Sequence, residues 1–195
     1  MKKLLVASLL FTPCVGANPY LYTGGTLLFG NVTDWDDPNV VREDATNDFG
    51  YSLIFGAGQR VYSFINFGAD IHAGVEVEFQ DFGDVTFTNV ANSGQSLSLE
   101  GYNVFVNGRA KFSPNNSPVY AGLIGGIGYH DAKYQSTLLR NGESKETSTV
   151  YQVGVELGVQ LKQLDLSAGY RYQVTDYDGV DISIKGLALG AVYNF

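Results

Sequence analysis

The chain has 195 residues, of which 12 are basic and 20 acidic, and its formal net charge is −8. This length predicts one domain, and the acidic balance argues against nucleic acid as a partner and against a polybasic membrane-surface helix. The 24 Gly, 13 Tyr and 12 Phe exceed ordinary usage, while Pro is only 5. Such a composition favours a β-barrel, and the mean hydropathy of −0.02 fits apolar and polar faces that alternate and cancel.

The first residues have the pattern of an export signal. Lys2–Lys3 forms a charged start, Leu4–Phe11 is an apolar run, and Val15–Ala17 is a small-residue cleavage site. The apolar run is too short to cross a membrane as a helix. We therefore expect residues 1–17 to be a cleaved signal peptide and residues 18–195 to form a single transmembrane β-barrel domain.

The chain has one cysteine, Cys14, which falls inside this signal. Acylation there, as in a lipoprotein, is an alternative, and it is disfavoured because Thr12-Pro13 stands where small residues would be needed. After cleavage behind Ala17 no cysteine is left, so we expect no disulfide and no thiol chemistry. We expect no cofactor either.

Segments with period-two alternation follow one another along the rest of the chain. They predict eight strands, at Tyr20–Asn31, Phe49–Arg60, Asn66–Gln80, Ser98–Phe112, Val119–His130, Thr149–Lys162, Leu164–Thr175 and Ile182–Phe195. The phase of the first strand cannot be assigned from the pattern. In the last strand, large apolar residues alternate with small ones, and the stretch from Leu187 is about as long as a tilted membrane-crossing strand needs to be.

The predicted connections alternate in length. The short ones lie at 62–65, 113–118 and 162–164. The long, polar ones lie at 32–48, 81–97 and 131–148, with a shorter one at 176–181. Short turns at one end and long loops at the other are typical of outer-membrane barrels, whose short turns are periplasmic and whose long loops are extracellular.

Charged residues share the glycine-rich face of these strands. They are Glu76, Glu78, Arg109, Lys111, Glu156 and Arg171. In a soluble barrel charges face outward, but near the middle of a membrane an outward charge costs several kcal/mol. The charges must then point into a lumen that eight strands leave just wide enough for side chains. The predicted fold class is all-β, an eight-stranded antiparallel transmembrane barrel of outer-membrane type.

Three stretches resemble the OmpA-like family of small outer-membrane barrels, with its porin-like and opacity-type relatives: Val119–Tyr129, Leu164–Tyr172 and Ala188–Phe195. The resemblance implies that the terminal pair Tyr193 and Phe195 is an assembly signal for the barrel-assembly machinery. The sequence ends without the peptidoglycan-binding domain of two-domain members, so we do not expect a cell-wall tether.

The six inward charges are the most site-like feature. Glu156 and Arg171 lie on strands joined by a tight turn, so we expect them to pair. In barrels of the resembled family such a cluster fills the lumen or gates a small conductance, and filling is the simpler interpretation.

An enzyme is not expected. Lipid A-modifying barrels of this size resemble the chain, but a deacylase-type site needs a Ser two residues after a His. His72 is followed by Ala73-Gly74 and His130 by Asp131-Ala132. Two histidines on separate strands also make a poor metal site.

The first long loop is predicted to be acidic and to carry one tryptophan, with Asp34, Trp35, Asp36 and Asp37 as candidate contact residues. The hypothesis is a monomeric structural or adhesin-like protein that meets a host or surface ligand through such loops. Its other expected partners are outer-membrane lipid and lipopolysaccharide. A narrow channel and a lipid A-modifying enzyme are the alternatives.

Overall fold

The computed structural model describes residues 19–36, 45–64, 68–88, 96–136, 143–177 and 180–195. Within them are nine strands: β1 (Tyr20–Asp36), β2 (Ala45–Phe64), β3 (Ala69–Asp81), β4 (Val85–Thr88), β5 (Ser96–Pro114), β6 (Val119–Ser136), β7 (Glu143–Leu161), β8 (Leu164–Tyr177) and β9 (Val180–Asn194). No helix in these residues is long and apolar enough to cross a membrane. The predicted signal peptide lies outside the described residues.

The strands form one antiparallel sheet that closes on itself. Their order is β3-β2-β1-β9-β8-β7-β6-β5-β4, and β3 also pairs with β5. The first and last strands pair from Tyr22↔Asn194 outward. β3 and β4 pair with successive parts of β5, so together they occupy one strand position. The barrel therefore has eight strand positions. The predicted fold class is confirmed.

The strand position shared by β3 and β4 is interrupted at Phe82–Asp84. The sequence pattern did not predict this interruption. Three residues stand there opposite two on β5, as in a β-bulge. Gly83 has φ +77°, and its N–H donates to Asp81 Oδ1 at 2.9 Å. Phe82 keeps the inward phase of β3 and is fully buried, and the extra residue brings Val85 inward after it.

The strands are longer at the long-loop end than predicted. β1 continues to Asp36, β6 continues to Ser136, and β7 begins at Glu143. The predicted loops at 32–48, 81–97 and 131–148 are therefore wrong at their edges, and their centres lie outside the described residues. Beyond the membrane the outward face no longer meets lipid, so the alternation that the membrane imposes stops while the backbone ladder continues.

The outward face is a belt of large apolar side chains. Leu53, Leu123, Leu157 and Leu187 are each between 60% and 66% exposed, which no water-soluble barrel would tolerate over so large an area. Above the belt is a ring of aromatic residues that follows the strand register: Phe29, Phe49, Tyr51, Phe79, Tyr102, Tyr129, Tyr151 and Tyr172. Two pairs in this ring are in contact, Phe29 with Phe49 and Phe79 with Tyr102.

The belt has the height of a bilayer core. On β7 it runs from Tyr151 to Leu161, about ten residue steps of roughly 3.4 Å at a tilt near 40°, which gives about 25 Å. At the other end Tyr193 and Phe195 meet edge to face, with ring centroids 5.2 Å apart. The aromatic residues thus mark both interfaces of the membrane.

The inward face settles the phase of the first strand. Tyr22, Thr26 and Leu28 are buried in the lumen, whereas Leu21 and Leu27 face outward. The segment 23–26 contains only Thr and Gly, so neither face of the strand carries large side chains there. Alternation alone could therefore not assign the phase of this strand.

An arginine placed on the belt tests this inside-out arrangement. Val155 faces outward near the middle of the belt, beside Leu123 of β6. We expect Val155→Arg to lower the free energy of unfolding by about 2–4 kcal/mol, because the guanidinium faces hydrocarbon. Reversible urea unfolding in phospholipid vesicles measures this change.

Thr147→Arg is the matched control. Thr147 also faces outward on β7, but above the aromatic ring, so the cost there should be about 0–1 kcal/mol. Equal costs at the two positions would contradict the proposed membrane belt.

Candidate functional site: the lumen and its two ends

The lumen is filled by polar side chains stacked in layers between the short-turn end and the long-loop end. The layer nearest the short turns holds Lys111, which is paired with Asp165 across the barrel. The Lys111 ammonium also lies 4.8 Å from the centre of the Tyr120 ring. Both ions are almost completely buried, so each depends on the other for compensation.

The second layer is a triad of one arginine between two glutamates. Arg109 Nε lies 3.0 Å from Glu76 Oε2, and Arg109 Nη1 lies 3.2 Å from Glu156 Oε1. Tyr22 adds a hydrogen bond, its hydroxyl donating to Glu76 Oε2 at 3.1 Å. These contacts connect β1, β3, β5 and β7 through the lumen.

The third layer pairs Arg171 with Glu78. Arg171 Nη1 lies 3.5 Å from Glu78 Oε2 and donates to Gln152 Oε1 at 3.3 Å. Asn107 Nδ2 donates to Glu78 at 2.7 Å and to Glu76 at 3.1 Å, which joins this layer to the second. Gln152 Nε2 donates to Glu78 at 3.0 Å.

Above the charges lies a layer of uncharged amides. Asn103 Nδ2 and Gln173 Nε2 each donate to Gln80 Oε1 at 2.8 Å. His130 Nδ1 donates to Asn103 Oδ1, and the imidazole stacks on Phe82 with ring centroids 5.1 Å apart. The stacked His130 and Phe82 rings separate the polar part of the lumen from its apolar part.

The long-loop end of the lumen is closed by an apolar cluster. Its buried members are Phe82, Val85, Leu99, Ala132 and Ile184. The space beside it, between His130 and Ile184, has no room for a water molecule. The described residues therefore contain no continuous water-filled passage.

The six predicted lumen residues all point inward and are brought together, but with different partners. Glu156 pairs with Arg109 rather than Arg171, and Arg171 pairs with Glu78. The expected pair between Glu156 and Arg171 is wrong, because the register sets Gly154 opposite Arg171 and Gly169 opposite Glu156.

Glycines make room for these long side chains. A Cβ on Gly154 would lie 2.6 Å from Arg171 Cδ, and one on Gly122 would lie 2.6 Å from Glu156 Cγ. The side chains thus lie across neighbouring glycines and extend to more distant strands. This explains why the pairing predicted from adjacent strands is wrong.

Sequence reasoning missed three contributors to the network. Asp165 is absent from the predicted set, although it alternates onto the same face of its strand as Arg171 and pairs with Lys111. Tyr22 was missed because its strand had no assigned phase. The neutral amides, such as Asn107, carry no charge to draw attention to them.

The predicted loop-contact residues have a different setting from the one expected. Asp34, Trp35 and Asp36 are part of β1 and pair with β9 at Ser183, Ile182 and Asp181. They are strand residues at the outer rim, which corrects the loop assignment. Asp37 lies outside the described residues.

The two histidines are far apart in the lumen. His130 lies in the amide layer, and His72 lines a cavity at the short-turn end. In the described part of the chain, no group of three or more His, Cys, Asp or Glu side chains is arranged to bind a metal ion.

The apolar exterior, the paired polar interior and the two aromatic rings together define an outer-membrane type β-barrel. The fold is similar to that of Neisserial surface protein A, with a TM-score of 0.51 at 20% identity over 92% of this chain and 99% of that one. At this identity the likeness concerns the fold alone.

Two further solved structures have lower similarity. The attachment invasion locus protein of Yersinia pestis, in complex with sucrose octasulfate, has a TM-score of 0.48 at 15% identity, covering 91% of this chain and 97% of that one. The N-terminal barrel of Pseudomonas aeruginosa OprF has 0.48 at 9% identity, covering 91% and 98%. No protein-family model matches the sequence, and no curated protein matches it.

The pair of Glu78 and Arg171 lends itself to a double-mutant cycle. We expect Arg171→Met to lower the free energy of unfolding by about 3–5 kcal/mol, because Glu78 is left charged and uncompensated in the lumen. Adding Glu78→Gln should recover most of that loss. Urea unfolding of the four proteins in vesicles gives the coupling energy.

Arg60→Met is the control, because Arg60 pairs with Asp70 at 3.5 Å while its side chain is 54% exposed. Its loss should cost no more than about 1 kcal/mol. Additive effects of the two lumen substitutions would contradict the pairing.

Proposed function

We propose that this protein resides in the outer membrane of a Gram-negative type of cell and acts at the cell surface, where its outer strand ends and loops contact a ligand or another surface. The filled lumen carries this proposal. Paired charges occupy its middle and an apolar cluster closes its outer end. A barrel without a passage leaves its two ends available for interaction, and the outer end is the one that faces the cell's surroundings.

The projecting strands support the proposal. β6 and β7 stay paired past the aromatic ring, as far as Gln135↔Glu143. On β7 the outward residues above Tyr151 are Thr149, Thr147 and Lys145, which are polar and exposed. Lys145 forms an ion pair with Asp131 at 3.0 Å. A paired ribbon that leaves the membrane is a rigid support for binding loops.

The remaining expectations belong to the same proposal. Tyr193 and Phe195 lie on the outer surface at the short-turn end, where the barrel-assembly machinery would recognise them. The belt contacts outer-membrane lipid, and the projecting strands stand at the level of lipopolysaccharide. The protein acts as a monomer, after removal of residues 1–17.

Replacing the segment 37–44 with a Gly-Ser linker of equal length tests the surface role. The substitution leaves β1 and β2 complete, since β1 ends at Asp36 and β2 begins at Ala45. We expect adhesion of expressing cells to fall at least about tenfold, with Trp35→Ala giving a smaller loss. Adhesion is measured on cells with equal amounts of folded barrel, scored by heat-shifted gel mobility.

A Gly-Ser linker of matching length in place of residues 137–142 is the control, because it changes the connection on the opposite side of the barrel and leaves β6 and β7 complete. It shows whether adhesion depends on the first loop in particular. Adhesion that survives both replacements would refute the surface role.

A narrow channel for ions or small solutes is the second candidate. It is favoured by the shared partners in the lumen. Asn107 donates to both Glu76 and Glu78, so one hydrogen bond can replace the other when the ion pairs exchange. Opening would require the apolar cluster to move as well. The surface role therefore remains first.

Planar-bilayer recording separates the two functions. We expect no steady conductance from the unaltered protein, because the lumen is filled. A steady conductance that Arg171→Ala abolishes or Glu156→Gln alters, and that Arg60→Ala at the mouth leaves unchanged, would favour the channel instead.

A further inference from the structure

Strand β7 extends further from the membrane than its neighbour β8. The last pair between the two strands is Val150↔Thr175, and β8 ends at Tyr177. β7 begins at Glu143 and is paired with β6 from there onward. The segment 143–149 therefore has β6 on one side and, within the described part of the chain, no paired strand on the other.

Two hydrogen bonds show which residues direct their backbone groups to that other side. Gln160 N–H donates to the carbonyl of Pro118, just before β6, at 2.6 Å, so the even-numbered residues of β7 face β6. The Thr149 carbonyl accepts from Thr175 Oγ1 at 3.0 Å, so the odd-numbered residues face away from β6. The register between β6 and β7 has no shift, and the alternation therefore holds along the whole strand.

The open edge of β7 thus consists of Glu143, Lys145 and Thr147. Each of these residues directs one N–H donor and one carbonyl acceptor away from β6, and successive residues of the row are about 6.8 Å apart. Water can satisfy these groups because the segment stands above the aromatic ring. The ligand that matches such a row of alternating donors and acceptors is another extended backbone.

The side chains beside the open edge carry charges of opposite sign on the two faces of the sheet. Lys145 faces outward, and its side chain is 57% exposed although it pairs with Asp131. Glu146 lies on the other face and is half-buried. Opposite charges in directly opposed positions stabilise strand pairing. An added strand is therefore favoured when it sets an acidic residue opposite Lys145 and a basic residue opposite Glu146.

A second copy of this chain fits the edge poorly. Two copies in one membrane have their β7 strands running in the same direction. A symmetric pair of these edges would set Lys145 beside Lys145 and Glu146 beside Glu146, and like charges in such positions are destabilising. Parallel pairing is also slightly less stable than antiparallel pairing. The charges of the edge thus favour a different polypeptide as its partner.

We propose that the open edge of β7 binds an extended peptide segment of a partner protein, which adds to the sheet as an antiparallel strand. This inference rests on the proposed surface role and specifies the chemistry of the ligand. Backbone hydrogen bonds with Lys145 and Thr147 supply the affinity, and the charges of Lys145 and Glu146 select the register.

A hexapeptide with both ends blocked, Thr-Val-Lys-Glu-Thr-Lys, tests the proposal. Run antiparallel, it sets Val opposite Thr147, Lys opposite Glu146 and Glu opposite Lys145. It is titrated into the refolded chain in phospholipid nanodiscs. We expect saturable shifts of the amide resonances over 143–147 and slower hydrogen exchange at the Lys145 and Thr147 N–H groups. The Glu146 N–H faces β6 and should exchange slowly with or without peptide.

Two N-methylated forms of the peptide are matched controls, since they keep every side chain. Methyl groups on the Val and Glu amides, which face β7, should weaken binding at least about tenfold because two hydrogen bonds are lost. Methyl groups on the amides of the central Lys and the second Thr, which face away, should leave binding unchanged. Exchanging the central Lys and Glu should weaken binding about threefold or more.

Substitutions in the chain itself test the same contact. Thr147→Pro removes the N–H on the open side and leaves the hydrogen bonds to β6 in place, so peptide binding should weaken about tenfold. Thr147→Val keeps the N–H and should bind as the unaltered chain does. Folding of both variants is checked by heat-shifted gel mobility. The methylated peptides decide the matter on the unaltered chain if Thr147→Pro does not fold.

Several results would overturn the proposal. They are an absence of saturable shifts over 143–147, equal effects of the two methylation patterns, and shifts confined to other strands. The same amide shifts on concentrating the chain without peptide would make the ligand a second copy. If the peptide does not bind but adhesion still depends on segment 37–44, only this inference fails. If adhesion survives both loop replacements, the surface role fails, whatever the peptide does.

Discussion

The structure depends on one constraint, that an ionised side chain cannot face hydrocarbon. A closed sheet in a membrane has two faces, and the outer one is given to apolar residues. Every membrane-level charge must then enter a lumen barely wider than the side chains themselves. In so small a space an unpaired ion is costly, so the charges pair: Lys111 with Asp165, Arg109 with two glutamates, and Arg171 with Glu78.

The polarity of the lumen changes from one end of the barrel to the other. Near the short turns the ion pair of Lys111 borders an open cavity, and beyond the amide layer His130 stacks on Phe82 under an apolar cluster. The apolar cluster continues across a local irregularity: Phe82 keeps the inward phase of β3, and the bulge after it shifts the phase so that Val85 also faces inward. The two ends therefore face different compartments with different chemistry, and a filled middle separates them.

The fold could be predicted from the sequence because it follows from alternation, which is a local property. Strands such as β7 and β9 show their two faces in every second residue, and the alternation of loop length gives the orientation. The partners in the lumen could not be predicted, because long side chains cross the barrel over glycines. The contact between Arg109 and Glu156 joins β5 to β7, and no pattern along one strand or between neighbours contains it.

The outer strand ends show where alternation stops being informative. The polar neighbours of Trp35 predict a loop, yet its backbone pairs with Ile182 in the continuing sheet. A ladder of backbone hydrogen bonds needs no particular side chains, so it persists where the polarity pattern is lost. This persistence bears on function. Loops that begin on a rigid ribbon lose less conformational freedom on binding than loops that begin at the membrane surface, and they bind more tightly for the same contacts. The length of the strands above the membrane therefore supports the proposed recognition at the outer end.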